Sequence, residues 1–328
     1  AVGEIAGARV KTDKEDIKRL LKLLLGGIVP EVWVPPAHVR ELRAFISYRN
    51  RLVKMATMIR NRLQSLLHKH SLLLPKEGIL DQDWWDAQSS ISTLEKMQIR
   101  QELYLLTEIK TLQSAVNEEL EKQSVGELWG KQALQLMQLP GVGFIVAMTV
   151  LSAIGDITRF ESAKKLVGYA GLGAGVHSSG KTHKEKRITK KGRKELRWIM
   201  VEAAWRAVRM SPYWKEQYEK HLRRMRKPNQ AIVVIARKLL VAIWHVLTKE
   251  ETDVHASEED LAYKMLLLSW SLTENVRQGM TYKQFAKYAL MKLGVEKDIT
   301  RFVRKDVARR LAPKDEVLAR MKELGLTF

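Results

Sequence analysis

The sequence predicts a mainly α-helical protein, and three observations support that prediction. Apolar residues recur at steps of three and four over residues 39–70 and again over residues 91–120, which is the spacing of one helix face. Residues 231–248 are strongly apolar and helical in pattern. With 328 residues, of which 45% are hydrophobic and 29% charged, the chain can fold into two or three domains.

Residues 1–36 form the first predicted segment. Thr12 and Glu15 fit a capping box, in which a hydroxyl and a carboxylate satisfy unpaired backbone N–H groups, so we expect a helix from there to Gly26. The prolines that follow push their predecessors out of helical space. We interpret the segment as the C-terminal remnant of a domain, followed by an extended connector.

Residues 37–128 contain the two long helices. The first carries almost only cationic side chains between its apolar positions, which predicts a coiled-coil-like seam with a basic outer face. Two such helices most simply form an antiparallel hairpin or a coil that dimerises. We expect a homo-oligomer held together through this coiled coil.

Residues 129–248 are predicted to be a further helical domain. Its segment Leu139-Pro140-Gly141-Val142-Gly143 resembles a helix-hairpin-helix turn, in which glycines let backbone N–H groups approach a phosphate. A tight turn between two helices explains the same residues. Gly141 and Gly143 are therefore candidate nucleic-acid contacts, with the structural turn as the alternative.

Residues 249–328 are predicted to be a linker and a helical C-terminal appendage. The linker, up to residue 260, is acidic and has few apolar residues. Two short helices are expected near residues 261–272 and 281–293, before a charged tail.

The charge of the chain predicts a polyanionic partner. The net charge is +20 and the pI is near 9.9, a field that attracts nucleic acid or an anionic membrane surface. No apolar run reaches the roughly 18–20 residues that a membrane span needs, which favours nucleic acid and no membrane. The chain has 0 Cys, which excludes disulfides and thiolate chemistry and fits a cytoplasmic, nucleoid-associated protein.

The strongest local signal is a serine pair followed by a basic run. Ser178 and Ser179 precede Gly180, and a serine becomes nucleophilic only where a base, metal or cations lower the cost of forming the alkoxide. An ordinary turn is the alternative. The cations after it predict nucleic-acid binding by these residues: Lys181, Lys184, Lys186, Arg187, Lys190, Lys191, Arg193 and Arg197.

Asp13 and Asp16 are candidate metal ligands. They are three residues apart at a helix start, so both carboxylates can face one side. Mg²⁺, or another divalent metal, binds through one or two carboxylates together with substrate phosphate oxygens. Stabilisation of the helix dipole by acidic residues is the alternative.

In order and spacing, these pieces resemble the one-ten type of insertion-sequence transposases, relatives of the Piv invertases. The N-terminal match is the Lys-Thr-Asp-x-x-Asp pattern of residues 11–16, followed by a proline-rich connector and an arginine-rich helix. The C-terminal match comprises residues 139–143, Tyr169-Ala170-Gly171-Leu172, Ser178-Ser179-Gly180 and residues 188–197. The resemblance covers about residues 9–248.

The resemblance implies a DNA transposase or site-specific recombinase of a mobile element. It implies an RNase-H-like domain with four acidic residues that bind divalent metal, in which Asp13 and Asp16 match the last two. Ser179 matches the nucleophile, with Ser178 as the second choice. Some members of this type use a structured guide RNA, which is a further expected partner.

Two departures from the pattern affect these expectations. The first two acids of the tetrad belong upstream of Ala1, so we expect a truncated or decayed copy. Lys181 replaces the usual second glycine after Ser-Ser-Gly. A catalytically incomplete DNA- or RNA-binding protein is therefore the alternative function, and a coiled-coil scaffold is a third.

Overall fold

The computed structural model describes residues 12–27, 32–74, 78–179, 182–295, 297–304 and 306–326, with the backbone alone for residues 176–179 and 182–187. Over these residues the protein is mainly α-helical, as predicted. In chain order the elements are α1 (Asp13–Leu25), α2 (Ala37–Lys69), α3 (Gln82–Ala87), α4 (Thr93–Gln123), α5 (Gly130–Met137), α6 (Phe144–Ile154), α7 (Ala163–Tyr169), β1 (Ala174–Ser179), β2 (Thr182–Ile188), α8 (Lys194–Met210), α9 (Pro212–Met225), α10 (Pro228–Lys249), α11 (Glu258–Ser271), α12 (Tyr282–Lys292), β3 (Arg301–Arg304), β4 (Val307–Arg310) and α13 (Lys314–Glu323).

The chain divides into two compact units, Ala1–Arg40 and Glu41–Phe328. Helix α1 lies in the first unit, where the Thr12 hydroxyl caps it by accepting a hydrogen bond from the Glu15 backbone N–H at 3.3 Å. The predicted capping box is only half formed, because the Glu15 carboxylate accepts from Lys18 Nζ at 2.9 Å instead. No described residue of α1 is buried.

In the second unit, α2 and α4 form the predicted antiparallel hairpin. Both helices bury apolar residues at steps of three and four, among them Ala56, Ile59, Leu63 and Leu67 in α2 and Ile99, Leu103, Leu106 and Leu120 in α4. Three polar pairs bridge the helices: Arg49 with Asn117 at 2.7 Å, Arg62 with Glu102 at 2.8 Å and Lys69 with Glu95 at 2.8 Å. Along these pairs the residue number rises in α2 while that of its partner in α4 falls, so the two helices are antiparallel. Dimerisation through them stays a prediction.

The core of the second unit is built around α6, α8 and α10. Helix α6 is buried from Val146 to Ile154. Helix α10 packs against α5, α7, α8 and α9 and buries residues between Ala231 and Leu247. These contacts hold the two ends of the segment 170–193, which connects α7 to α8, in the same part of the unit.

The expectation that no apolar stretch reaches the length of a membrane span was wrong for helix α10. Among the described residues it is long and apolar enough to cross a membrane, with a mean hydropathy of 1.9 over its most apolar window. Half of that window is buried within the protein, as in the core helix of a globular domain. Arg237 and Lys238 also lie near its middle.

The turn between α5 and α6 packs directly on α8. Gly141 is buried and has a φ of +79°, and a Cβ there would lie 2.3 Å from Ala203 O and 2.6 Å from Ala207 N. Only glycine allows this contact between two backbones. Gly143, the N-cap of α6, has nothing within 4 Å of the position of a Cβ.

Residues 249–328 contain more structure than the predicted pair of helices and charged tail. After α11 and α12 the chain forms the antiparallel strands β3 and β4 and then α13. The strands were not predicted because their many charged residues leave little alternation of apolar and polar positions, although Phe302 is buried between exposed neighbours. The predicted acidic linker is held in place, because the Asp253 backbone N–H donates to Gln138 Oε1 at 3.0 Å.

Lys264 attaches α11 to the turn between α5 and α6. Its Nζ donates to Met137 O and to Leu139 O, each at 2.7 Å, and so satisfies carbonyls at the C-terminus of α5. Burial lowers the pKa of Lys264 to about 7, an effect that the nearby Asp260 carboxylate partly opposes. The C-terminal region therefore contacts the turn through a specific polar anchor.

We predict that Gly141→Ala lowers the free energy of unfolding by roughly 2–5 kcal/mol, because it adds backbone strain and a clash with α8. Chemical denaturation measures the change. Gly168→Ala is the control, because Gly168 lies within α7 and a Cβ there meets nothing within 4 Å. This substitution should raise the free energy of unfolding by about 0.5–1 kcal/mol, since alanine favours a helix more than glycine does. Equal stability of the Gly141→Ala variant and the wild type would show that the turn does not pack as described.

Candidate nucleic-acid interface

The predicted nucleophiles lie in a β-hairpin that sequence reasoning did not identify. Strands β1 and β2 are antiparallel, and their register pairs Ser178 with His183 and Ser179 with Thr182. Ser179 is the last residue of β1. Gly180 and Lys181 lie outside the described residues, as do the side chains of both serines. The backbone therefore places Ser179 at the end of a strand rather than in an isolated turn.

The base of this hairpin is tied to α7 and α8 by backbone hydrogen bonds. Thr189 N–H donates to Gly173 O at 2.9 Å and Lys190 N–H donates to Gly171 O at 3.2 Å. Arg193 N–H, at the start of α8, donates to Tyr169 O at 2.8 Å. Backbone hydrogen bonds between the two chain segments thus continue past the ends of β1 and β2, without regular strand geometry, as far as α7 and α8.

Two glycines make this close approach possible. A Cβ on Gly192 would lie 2.3 Å from Tyr169 O and 2.7 Å from Gly171 N. Gly171 has a φ of +67°, and a Cβ there would lie 3.0 Å from the carbonyl carbon of Lys190. The glycines of the Tyr-Ala-Gly-Leu and Thr-Lys-Lys-Gly segments are therefore explained by backbone packing.

Arg197 closes the base of the hairpin. Its Nη1 donates to Ala170 O and to Lys190 O, each at 3.1 Å, so the guanidinium joins the end of α7 to the strand that leaves the hairpin. Sequence reasoning predicted that Arg197 contacts nucleic acid. In the structure its guanidinium contacts the protein's own backbone, and nucleic-acid contact by Arg197 stays a prediction.

The other cations of the basic run differ in how far the structure describes them. Lys184, Lys186 and Arg187 lie on β2, where only the backbone is described. Lys190 and Lys191 are exposed at the base of the hairpin. Arg193 is half-buried, and its Nε is buried without a hydrogen-bond partner in the described residues. Nucleic-acid contact by these residues stays a prediction.

A basic cleft of about 510 Å³ lies beside the base of the hairpin. Lys191 and Gly192 line one part of it, and Arg159, Phe160, Glu161, Lys165, Gly168 and Tyr169 complete it. The Arg159 guanidinium lies 4.4 Å from the Phe160 ring centroid and 4.5 Å from that of Tyr169, so two rings hold it. Sequence reasoning missed Arg159 and Lys165, because they are separated from the basic run by more than fifteen positions.

Arg43 of α2 lies close to this cleft. It donates from Nε to Ser152 O at 2.6 Å and from a second nitrogen to Ala153 O at 2.9 Å. Burial lowers the pKa of Arg43, and the positive charges of Arg193 and Arg159 lower it further. Several guanidinium groups thus share one small region, where an anion would reduce their mutual repulsion.

The candidate metal ligands lie in the first unit. Asp13 and Asp16 are in the first turn of α1. Neither residue is buried as a whole, but the single atom Asp16 Oδ1 is shielded from solvent and has no hydrogen-bond partner in the described residues. The part of the chain that the structure describes contains no group of three or more His, Cys, Asp or Glu side chains that could hold a metal ion. Asp13 and Asp16 therefore supply at most two carboxylates.

The comparisons with known proteins match the same region. The family model for the "Transposase IS116/IS110/IS902 family" matches residues 133–219, from α5 through the hairpin and α8 into α9. The chain is thus similar to IS110-type transposases, and the resemblance seen in the sequence is confirmed at that level.

Individual relatives extend the similarity beyond this region. The chain is 29% identical over 199 residues to "Putative transposase y4qE" of Sinorhizobium fredii, which covers 61% of this chain and 48% of the relative. It is 25% identical over 250 residues to "Transposase for insertion sequence element IS1111A" of Coxiella burnetii, covering 74% and 68%. It is 36% identical over 121 residues to the "Pilin gene-inverting protein" of Moraxella bovis, covering 35% and 37%. The chain therefore spans about half the length of the first of these relatives and about two thirds of the second.

We predict that Arg197→Met changes the stability of the protein and that Lys191→Met changes the salt dependence of its DNA binding. Arg197→Met should lower the free energy of unfolding by about 1–3 kcal/mol, because two carbonyls lose a charged donor. Lys191→Met should change it by less than about 0.5 kcal/mol, since the side chain is exposed. In titrations of duplex DNA, Lys191→Met should reduce the slope of log K against log salt by about 0.9. A stable Arg197→Met variant whose only defect is a reduced salt slope would contradict the internal role of Arg197.

Proposed function

We propose that the chain is a DNA transposase or site-specific recombinase of a mobile element, in which Ser179 is the nucleophile. The observation that carries the proposal is the position of Ser179 at the end of β1, in a hairpin whose base adjoins a cationic cleft. The similarity of this region to a transposase family supports it. A cytoplasmic protein associated with the nucleoid fits this function.

The proposed reaction is a transesterification. The Ser179 oxygen attacks a phosphodiester phosphorus and loses its proton, and the P–O bond to one deoxyribose oxygen breaks. That oxygen leaves as a hydroxyl after taking up a proton, and the DNA stays joined to the protein through a phosphoserine ester. Because one phosphate ester replaces another, the step reverses when a new DNA hydroxyl attacks the phosphoserine.

The cations near the hairpin are proposed to hold the scissile strand. Phosphate neutralisation by lysine and arginine supplies affinity, and a fixed positive charge near the phosphate stabilises the extra charge of the transition state. Lys190 and Lys191 are exposed for this contact. Gly143, at the N-cap of α6 with open space around it, is a further candidate for a phosphate contact.

A divalent metal is the proposed cofactor. Mg²⁺, when bound, polarises phosphoryl oxygens and stabilises negative charge on them. Asp13 and Asp16 would hold it, and the unpartnered Oδ1 of Asp16 is consistent with such a ligand. Two carboxylates suit an ion that also uses substrate phosphate oxygens.

Two further partners are proposed. A structured guide RNA would bind through the same cationic surface, because phosphate contacts do not require a particular sequence. A second copy of the chain would pack along α4, where apolar side chains are exposed at heptad spacing: Met97, Tyr104, Leu105 and Leu112.

The alternative function is nucleic-acid binding without catalysis. The net charge of +20 supports binding whether or not Ser179 reacts. Under this alternative the hairpin grips DNA or RNA and forms no covalent bond.

We predict that the protein expressed from its complete reading frame forms a covalent adduct with DNA in the presence of Mg²⁺, and that Ser179→Ala abolishes the adduct. The substrate is duplex DNA carrying the genomic sequences that flank the gene. Denaturing electrophoresis detects the adduct, which should resist detergent and disappear after protease treatment.

Ser178→Ala is the matched control, because it removes the neighbouring hydroxyl and should leave the adduct in place. An adduct that persists in the Ser179→Ala variant would refute the assignment of the nucleophile. Salt-dependent binding with no adduct from the wild type would instead establish the binding function.

A further inference from the structure

A second cavity, of about 1240 Å³, lies next to the base of the hairpin in the same unit. It is larger than the range of roughly 300–1,000 Å³ that is typical of pockets for small ligands. Val241, Ala242 and Val246 of α10 form an apolar wall, and Thr189 and Lys191 line the side nearest the hairpin. Apart from Lys191, these residues have no part in the proposed transesterification.

The cavity contains an aromatic platform. The ring of Tyr213, at the start of α9, is stacked on that of His255 with centroids 3.5 Å apart and planes inclined by 17°. Trp214 is buried beside it, with its ring edge-on to Tyr213 at 5.1 Å. His255 is held by its backbone N–H, which donates to Asp253 Oδ1 at 2.9 Å. Stacked rings at the side of an apolar wall suit another flat aromatic ring.

The rim of the cavity is mainly cationic. Lys164, Lys191, Arg237, Lys238 and Lys249 line it, together with His245. Two carboxylates also line it, fewer than the cations. Asp253 accepts from the backbone of His255, and Glu251 lies 4.0 Å from Lys249 Nζ.

The positive charge continues from the cavity along α9. Burial lowers the pKa of His221, and the cations Lys238, Arg224, Lys220 and Arg237 lower it further. The pKa of Lys238 is also lowered, first by burial and then by Lys220 and Arg237. Cations on two helices therefore repel one another at this surface, and a polyanion that lies across them would relieve the repulsion.

We propose that this cavity binds one unpaired nucleotide of a single-stranded nucleic acid. The base lies against the Tyr213–His255 stack and the apolar wall of α10. The phosphates on either side of it contact Arg237, Lys238 and Lys249, and the strand continues over the cations of α9. Sites for single strands combine these two features, a cationic path for the backbone and aromatic rings for the bases.

A single strand fits this site better than a duplex does. In a duplex both faces of each base are already stacked, so an aromatic platform inside a cavity reaches a base only after the base has left the stack. The site lies outside the chemistry proposed for Ser179, and binding here should be unchanged in the Ser179→Ala variant. The two proposals can therefore fail separately.

We predict that Tyr213→Ala weakens binding of a single-stranded oligonucleotide of about 12 nucleotides by roughly 5- to 150-fold, the loss of one base–aromatic stack. Binding of a duplex of the same sequence should change by less than about twofold, because phosphate contacts dominate it. Fluorescence anisotropy at one fixed salt concentration measures both, with DNA and RNA versions of the strand. A larger loss for one version identifies whether the unpaired base comes from DNA or RNA, and an equal loss assigns the site to either.

Three controls separate stacking from folding. Tyr213→Phe keeps the ring and should bind as the wild type does. Trp270→Ala removes a tryptophan that is 66% exposed on α11 and should not change single-strand binding. A strand with abasic nucleotides should bind the wild type and the Tyr213→Ala variant equally. The proposal is overturned if Tyr213→Ala leaves single-strand binding unchanged, or weakens single-strand and duplex binding to the same extent.

Discussion

The hairpin that carries Ser179 depends on the close approach of two backbone segments, residues 169–171 and residues 190–193. Neither segment belongs to a regular element over its whole length. The backbone N–H groups of Lys190 and Arg193 nevertheless donate to Gly171 O and Tyr169 O, and the approach leaves no room for a Cβ on Gly192. Arg197 then joins the two segments from one side. Because the helices α7 and α8 are fixed in the core, this contact fixes where β1 begins and where β2 ends.

The cations of this protein have two distinct kinds of role. One group satisfies carbonyls at helix C-termini, where positive charge also complements the helix dipole. Its members are Arg43 at the end of α6, Arg197 at the end of α7 and Lys264 at the end of α5. The second group is exposed and can neutralise phosphates. A high net charge therefore predicts a polyanionic partner, but does not tell which cation contacts it.

The long helices were predictable from the sequence because their apolar residues keep one period over many turns. The helix predicted over residues 39–70 is observed at Ala37–Lys69, and pairs such as Arg62 with Glu102 show that it forms a hairpin with α4 within one chain. The β1–β2 hairpin was not predictable in this way. Its strands are short and polar, so they carry no alternation of apolar residues.

The candidate site was predictable only in part, because some of its residues are contiguous in the sequence and others are brought together only by the fold. Ser179 and the basic run are contiguous and can be read directly. Arg159 and Tyr169 come together with Lys191 only through the fold, and the platform of Tyr213 and His255 joins residues that are more than forty positions apart. Gly141 was interpreted as a candidate phosphate contact, and its packing against α8 explains the glycine without a ligand.

Amide hydrogen exchange at the base of the hairpin tests the central claim most directly. The backbone N–H groups of Thr189, Lys190 and Arg193 donate to carbonyls in the structure. We expect them to exchange as slowly as the amides in the middle of α8, and to lose that protection in the Gly192→Ala variant while α8 keeps its own. Exchange of these three amides at the rate of an unstructured peptide in the wild type would contradict the account.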